Sequence, residues 1–133
     1  MSQIKQNLEI INQKILDAEQ KAGRPQGSVK LMAVSKFHPV DAVIEALKAG
    51  QTLFGENRVQ EAYQKFTELY KKYPELELHI IGQLQTNKVK KAVEIASVIE
   101  SVVPGICWIT RTAWTGWTNG TARGFTPRPC PAG

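Results

Sequence analysis

Cysteine and tryptophan are missing from the first 103 residues, although the chain of 133 residues contains two cysteines and three tryptophans. All five lie in residues 104–133, a segment that has neither lysine nor acidic residues. Residues 1–103 therefore carry +2 of the formal net charge of +5. A body without cysteine has no disulfide framework, and its small charge excess does not indicate an acidic partner.

Long apolar runs are missing too. No segment approaches the ~18 consecutive apolar residues of a membrane span. The N-terminus mixes charged and apolar residues at helical spacing, unlike a signal peptide, so we expect a cytoplasmic protein without membrane association. The two histidines are far apart and both cysteines lie in the tail, so we also expect no metal site.

A regular alternation of helix and strand patterns is present instead. Ile4, Leu8, Ile11 and Ile15 recur on one face of an N-terminal helix. The predicted strands cover residues 29–34, 52–54, 78–81 and 97–102, and the predicted helices between them cover residues 39–49, 59–73 and 86–94. Strands that alternate with helices predict a parallel sheet with right-handed crossovers.

Two α/β architectures have this order of elements, the open doubly wound sheet and the (β/α)8 barrel. The glycine-rich nucleotide fingerprints G-x-G-x-x-G and G-x-x-x-x-G-K-[ST] are both absent, so neither supports an open sheet. A complete barrel needs eight strands and roughly 250 residues. Only four strands fit this chain.

Lys36 differs from the other lysines in its position. It follows the first predicted strand directly, and ligand sites of parallel α/β folds lie at the carboxyl ends of the strands. Partial burial among apolar strand ends would favour the neutral amine, which can condense with an aldehyde to form a Schiff base. The alternative is a solvated loop lysine, which position alone favours.

Two more polar residues lie at or near strand ends. Asn57 follows Gly55 and Glu56, where it would either bind a ligand oxygen or serve as a turn residue. His79 lies in the third predicted strand. Position alone favours a satisfied core or surface histidine over a ligand-binding one.

Three segments at these strand ends carry a resemblance to a known family. They are LMAVSK at 31–36, FGENRVQE at 54–61 and HIIGQLQTNK at 79–88. In order and spacing they resemble the pyridoxal phosphate homeostasis proteins, which bind pyridoxal 5'-phosphate (PLP) in the cytoplasm with an alanine-racemase-like barrel. The resemblance implies an α/β fold that is the first half of a (β/α)8 TIM-type barrel, with about four βα units after the N-terminal helix. The composition of residues 104–133, rich in proline, glycine and threonine, predicts an irregular C-terminal tail.

The resemblance also implies a role for each of the three polar residues. Lys36 is implied to hold PLP as a Schiff base, Asn57 to lie near the cofactor, and His79 to line the same end of the barrel. The family looks like a carrier of a reactive aldehyde in vitamin B6 homeostasis, without an established enzymatic reaction.

The resemblance ends near Val103. The family continues after Ser101 and Val102 with aspartate and a helix, whereas this chain continues as Val-Pro-Gly-Ile-Cys-Trp. Deleting one base from a coding strand for Val-Asp-Ser-Arg-Asn-Leu-Leu gives Val-Val-Pro-Gly-Ile-Cys-Trp, the observed order from Val102. We therefore expect a partial PLP-binding domain over residues 1–103 and an out-of-frame, disordered tail over residues 104–133, with weak or no cofactor binding.

Two other functions stay open at this point. A fragment of a PLP-dependent, racemase-like enzyme of the same fold would need an acid–base partner from later strands. A nucleic-acid-binding module would use the arginines and tryptophans of the tail. No strand pattern presents those rings, so we expect no nucleic-acid partner.

Overall fold

A computed structural model describes residues 2–101, and within them one helix is followed by alternating strands and helices. The elements are α1 (Gln3–Lys21), β1 (Ala33–Val34), α2 (Val40–Lys48), β2 (Leu53–Glu56), α3 (Val59–Lys72), β3 (Glu77–Ile80), a 3₁₀ turn (Thr86–Lys88) leading into α4 (Val89–Ile95), and β4 (Val98–Ile99). The predicted order is confirmed. The end of the fourth predicted strand at Val102 and the predicted tail over residues 104–133 lie outside the described residues.

The four strands form one parallel sheet in the order β1-β2-β3-β4. An open doubly wound sheet reverses its strand order at a switch point, whereas a barrel adds each new strand beside the last. Sequential order with right-handed crossovers places α2, α3 and α4 on one face of the sheet. The described residues therefore have the winding of a (β/α)8 barrel.

The hydrophobic core lies between the sheet and the helices. Phe54 of β2 and Phe66 of α3 are buried with their ring centroids 5.9 Å apart, and Leu78 and Ile80 of β3 are fully buried in the same cluster. Side chains alternate between the two faces of a strand, so the residues between these point to the opposite face. We call that face, away from the helices, the open face.

The first strand is shorter than the predicted 29–34 because side chains satisfy the backbone before it. The backbone N–H of Val29 donates to Oε1 of Glu19 at 2.8 Å, and the carbonyl of Leu31 accepts from Nε2 of Gln51 at 2.7 Å. These groups are then not available to a strand ladder. Pairing with β2 begins only at Ala33.

Gly50 ends α2 as predicted. Its backbone has φ 95°, its N–H donates to the carbonyl of Leu47, and the N–H of Gln51 donates to the carbonyl of Ala46, both at 3.0 Å. This is a Schellman motif, which needs a residue that tolerates a left-handed conformation. The motif turns the chain back towards β2.

The apolar face predicted for α1 is only partly covered. Ile4 and Leu8 pack against the core, and α1 lies beside α2. Ile11, predicted on the same face, is 41% exposed. Periodicity identified the helix but not how much of its face the described residues bury.

Candidate functional site

The candidate site begins at the turn that follows β1. The N–H of Ser35 donates to the carbonyl of Gly55 at 3.0 Å, and the N–H of His38 donates to the carbonyl of Ser35 at 3.1 Å. Lys36 is half-buried at the second position of this turn, and Phe37 follows with φ 66°. A left-handed conformation is costly for a residue with a Cβ, so the surrounding hydrogen bonds must hold it.

The strand register places His79 on the same face of the sheet as Val34 and Gly55, which precede Lys36 and Asn57 by two residues. Val34, Gly55 and His79 are matched across the sheet, so their side-chain positions share a face. A Cβ built on Gly55 would lie 2.7 Å from Sδ of Met32 and 3.3 Å from Cδ1 of Ile81, which identifies this face as the open one.

Lys36 and Asn57 lie two residues beyond Val34 and Gly55, at the carboxyl ends of β1 and β2. Within residues 2–101 no hydrogen bond joins Lys36 to Asn57 or His79. The structure thus brings the predicted residues to the carboxyl end of the sheet without connecting them directly.

His79 has a carboxylate partner that the sequence did not reveal. Its Nδ1 lies 2.6 Å from Oε1 of Glu100, the residue after β4, and its side chain is 16% exposed. The pair fixes the orientation of the imidazole ring and leaves its Nε2 free of this contact. Only the register of β3 with β4 brings the two residues together.

Asn57 lies at a groove between the loops that follow β2 and β3. The groove has a volume of about 360 Å³, and its polar lining is Asn57, Arg58, Gln60, Gln83, Gln85 and Lys88. The backbones of Asn57 and Gly82, which both line the groove, are in close contact. A Cβ built on Gly82 would lie 2.7 Å from Cα of Asn57 and would also collide with its carbonyl oxygen. Lys36 does not line this groove.

A buried polar network lies behind Lys36 on the helix side of the sheet. Oε1 of Glu56 accepts from Oγ of Ser35 at 2.7 Å and from Nζ of Lys65 at 3.0 Å. Glu56 is fully buried at the end of β2, and its Oε2 has no hydrogen-bond partner. The sequence placed Glu56 at a strand end but did not indicate Lys65, since that contact depends on how α3 packs over β2.

The described part of the chain has neither a cluster of metal ligands nor a membrane-spanning helix. Among residues 2–101, no group of three or more histidine, cysteine or acidic side chains could hold a metal ion. No helix there is long and apolar enough to span a bilayer. The tail tryptophans and arginines, on which the nucleic-acid-binding alternative depends, lie outside the described residues.

Sequence comparison relates the chain to one group of curated proteins. It is 49% identical over 96 residues to the pyridoxal phosphate homeostasis protein of Vibrio alginolyticus and 43% identical over 97 residues to that of Escherichia coli K12. Each match covers 71% of this chain and 41% of the relative. The chain thus spans about two fifths of the curated relatives it matches. No family model matches the chain.

Solved structures show the same relationship. PipY of Synechococcus elongatus is 42% identical in its form with PLP bound, with a TM-score of 0.66 over 85% of this chain and 49% of that one. Its form without PLP is 46% identical, with a TM-score of 0.62 over 74% of this chain and 46% of that one. A protein of unknown function from Bifidobacterium adolescentis is 32% identical, with a TM-score of 0.77 over 85% and 50%.

These comparisons confirm two predictions. The chain is homologous to pyridoxal phosphate homeostasis proteins, as the three strand-end motifs predicted. Its α/β fold, with a sequentially wound parallel sheet, is the first half of a TIM-type barrel and matches about half of each solved structure. The roles of Lys36, Asn57 and His79 stay predictions.

Proposed function

We propose that this chain belongs to a cytoplasmic protein of vitamin B6 homeostasis, and that Lys36 holds PLP as a Schiff base. The observation that carries the proposal is the position of Lys36, half-buried in a hydrogen-bonded turn at the carboxyl end of β1. The names of the homologues and the PLP-bound PipY neighbour support the choice of ligand. We propose a holding and releasing role rather than turnover.

The residues around Lys36 suit such a ligand. PLP supplies an aldehyde carbon that forms a C=N bond with a primary amine, releasing water. Lys36 supplies the amine at the carboxyl end of β1, and the hydrogen bonds of the turn that begins at Ser35 hold its backbone. The reverse reaction takes up water, or exchanges the amine for another, and frees the lysine.

Asn57 and His79 would contribute orientation and polarity. The amide of Asn57 follows β2 directly, at the same end of the sheet as Lys36, and can donate to or accept from a ligand oxygen. Glu100 holds the imidazole of His79, which lies within β3 rather than after it. The Nε2 of His79 can contact the ring of a bound ligand. These roles rest on position in the sheet.

A titration tests this proposal. Adding PLP to the chain should produce a weak visible absorption band of an imine, and Lys36→Ala should remove most of it. Lys48→Ala is the matched control, since Lys48 is an exposed lysine in the last turn of α2, and it should leave the band unchanged. A band of equal strength in Lys36→Ala would refute the assignment.

A further inference from the structure

An ion pair is buried on the helix side of the sheet, outside the proposed PLP site. Nζ of Lys65 lies 3.0 Å from Oε1 of Glu56, with side-chain exposures of 15% and 0%. Both groups are on the helix side, so the sheet separates them from a ligand on the open face. Burying two charges costs several kcal/mol unless close hydrogen bonds compensate, so this pair is weak evidence for stability as such.

Both members of the pair bind Ser35. The hydroxyl of Ser35 donates to Oε1 of Glu56 at 2.7 Å, and Nζ of Lys65 donates to the carbonyl of Ser35 at 3.1 Å. The N–H of Ser35 donates to the carbonyl of Gly55. All three polar groups of Ser35 are therefore tied to β2 or α3.

Ser35 is also the first residue of the turn that carries Lys36. Its carbonyl accepts a second hydrogen bond, from the N–H of His38, and this bond closes the turn around Phe37 with its positive φ. Phe37 is 78% exposed, so its own packing does little to hold that conformation. The restraint on the turn comes from Ser35 and from what binds it.

We propose that Glu56 and Lys65 are positioning residues for Lys36. They clamp the hydroxyl and carbonyl of Ser35 from behind the sheet, and the clamp holds the turn that carries the lysine. The opposite charges of the pair offset one another, so the clamp adds little net charge beside the lysine. The relevance to PLP rests on the proposed function, whereas the clamp itself does not.

Amide hydrogen exchange tests the clamp without the cofactor. In Lys65→Met, exchange at the N–H of His38 should rise about tenfold, because local opening of the turn becomes easier. Exchange at the N–H of Ile81, which donates to the carbonyl of Glu56, should stay unchanged. Lys65→Arg keeps a charged donor and should restore protection. Lys71→Met, which removes an exposed pair with Glu68 on the same helix, is the matched control.

A second variant covers the case in which Lys65→Met leaves Glu56 buried without its partner and the chain does not fold. The double variant Glu56→Gln with Lys65→Met removes both charges together, and the same rise at His38 is expected. Unchanged exchange at His38 in the folded variant would overturn the proposal. A uniform rise across β2 and β3 would show a general loss of stability and would overturn it as well.

The cofactor readout is the share of borohydride-trapped PLP found on Lys36 among all lysines. This share should fall several-fold in Lys65→Met or the double variant, and it should recover in Lys65→Arg. An unchanged share in a folded variant would refute the positioning role. If the unaltered chain places no PLP on Lys36 while exchange at His38 behaves as expected, the proposed function fails and the clamp stands.

Discussion

The backbone of Gly82 lies directly against the backbone of Asn57, with no room for a side chain between them. A Cβ on Gly82 would be 2.7 Å from Cα of Asn57 and 2.8 Å from its carbonyl carbon. The loops after β2 and β3 are thus packed together at the carboxyl end of the sheet. This contact sets the position of Asn57, one of the three predicted site residues.

Gly82→Ala should lower the free energy of unfolding by about 1–3 kcal/mol, because the added methyl group forces two backbone segments apart. Urea denaturation of the variant and the unaltered chain measures this. Gly55→Ala is the comparison, since its Cβ would meet Sδ of Met32 at 2.7 Å. The methionine side chain can rotate away, so a smaller loss is expected. Equal losses would contradict the importance of the Gly82 contact.

The carboxylate of Glu19 makes the stability of the folded chain depend on pH. Its carboxylate accepts from the backbone N–H of Val29 at 2.8 Å and of Gly27 at 3.0 Å, and these bonds hold its pKa below the usual range. A carboxyl whose pKa is lowered by folding stabilises the folded state at pH values above the ordinary pKa of a glutamate. That contribution is lost as the pH falls through the lower folded pKa.

Glu19→Gln should therefore be less stable than the unaltered chain at neutral pH, with a difference that shrinks as the pH falls below about 4. The free energy of urea unfolding, measured across this range, gives the difference directly. Glu68→Gln removes another carboxyl of lowered pKa, but an exposed one paired with Lys71, so its effect should be smaller. A difference in the free energy of unfolding between Glu19→Gln and the unaltered chain that does not change with pH would contradict this explanation.

The sequence predicted the α/β fold class because helical and strand periodicities, together with their alternating order, are enough to identify it. Apolar residues at helical spacing and short apolar runs gave every described element to within a few residues, except β1. The helix predicted over residues 39–49 begins at Pro39 and stops before Gly50, and the two residues respectively restrict and permit the backbone conformations that begin and end α2. The choice between barrel and open sheet needed the strand order, which depends on contacts far apart in the chain.

The candidate site was predictable only in part, for the same reason. Lys36 and Asn57 stood out because each follows a strand. The residues that hold the site could not be predicted in this way. Lys65 contacts Ser35, which is 30 residues away in the sequence, and Glu100 contacts His79, which is 21 residues away. Side-chain hydrogen bonds across an element have no periodic signature, so only the packed structure reveals them.

The division of the chain at about Val103 remains a proposal that DNA sequence can test. Restoring one base near codon 103 should give a frame that continues with aspartate and a helix. In the restored frame, Trp114-Thr115 and Trp117-Thr118 should each be read as an apolar residue followed by aspartate. The two pairs are three residues apart, which is helical spacing. An intact upstream frame with no barrel sequence recoverable downstream would contradict the proposal.

The most direct test of the account is the mapping of PLP onto the twelve lysines of the chain. The chain would be mixed with PLP, reduced with borohydride, digested and analysed by mass spectrometry. We predict that Lys36 carries the largest share of the adduct, at a yield well below one per chain, because the described residues form only half of the surrounding barrel. An even spread over the exposed lysines would contradict the central role of Lys36, and a near-stoichiometric yield would contradict the predicted weak binding.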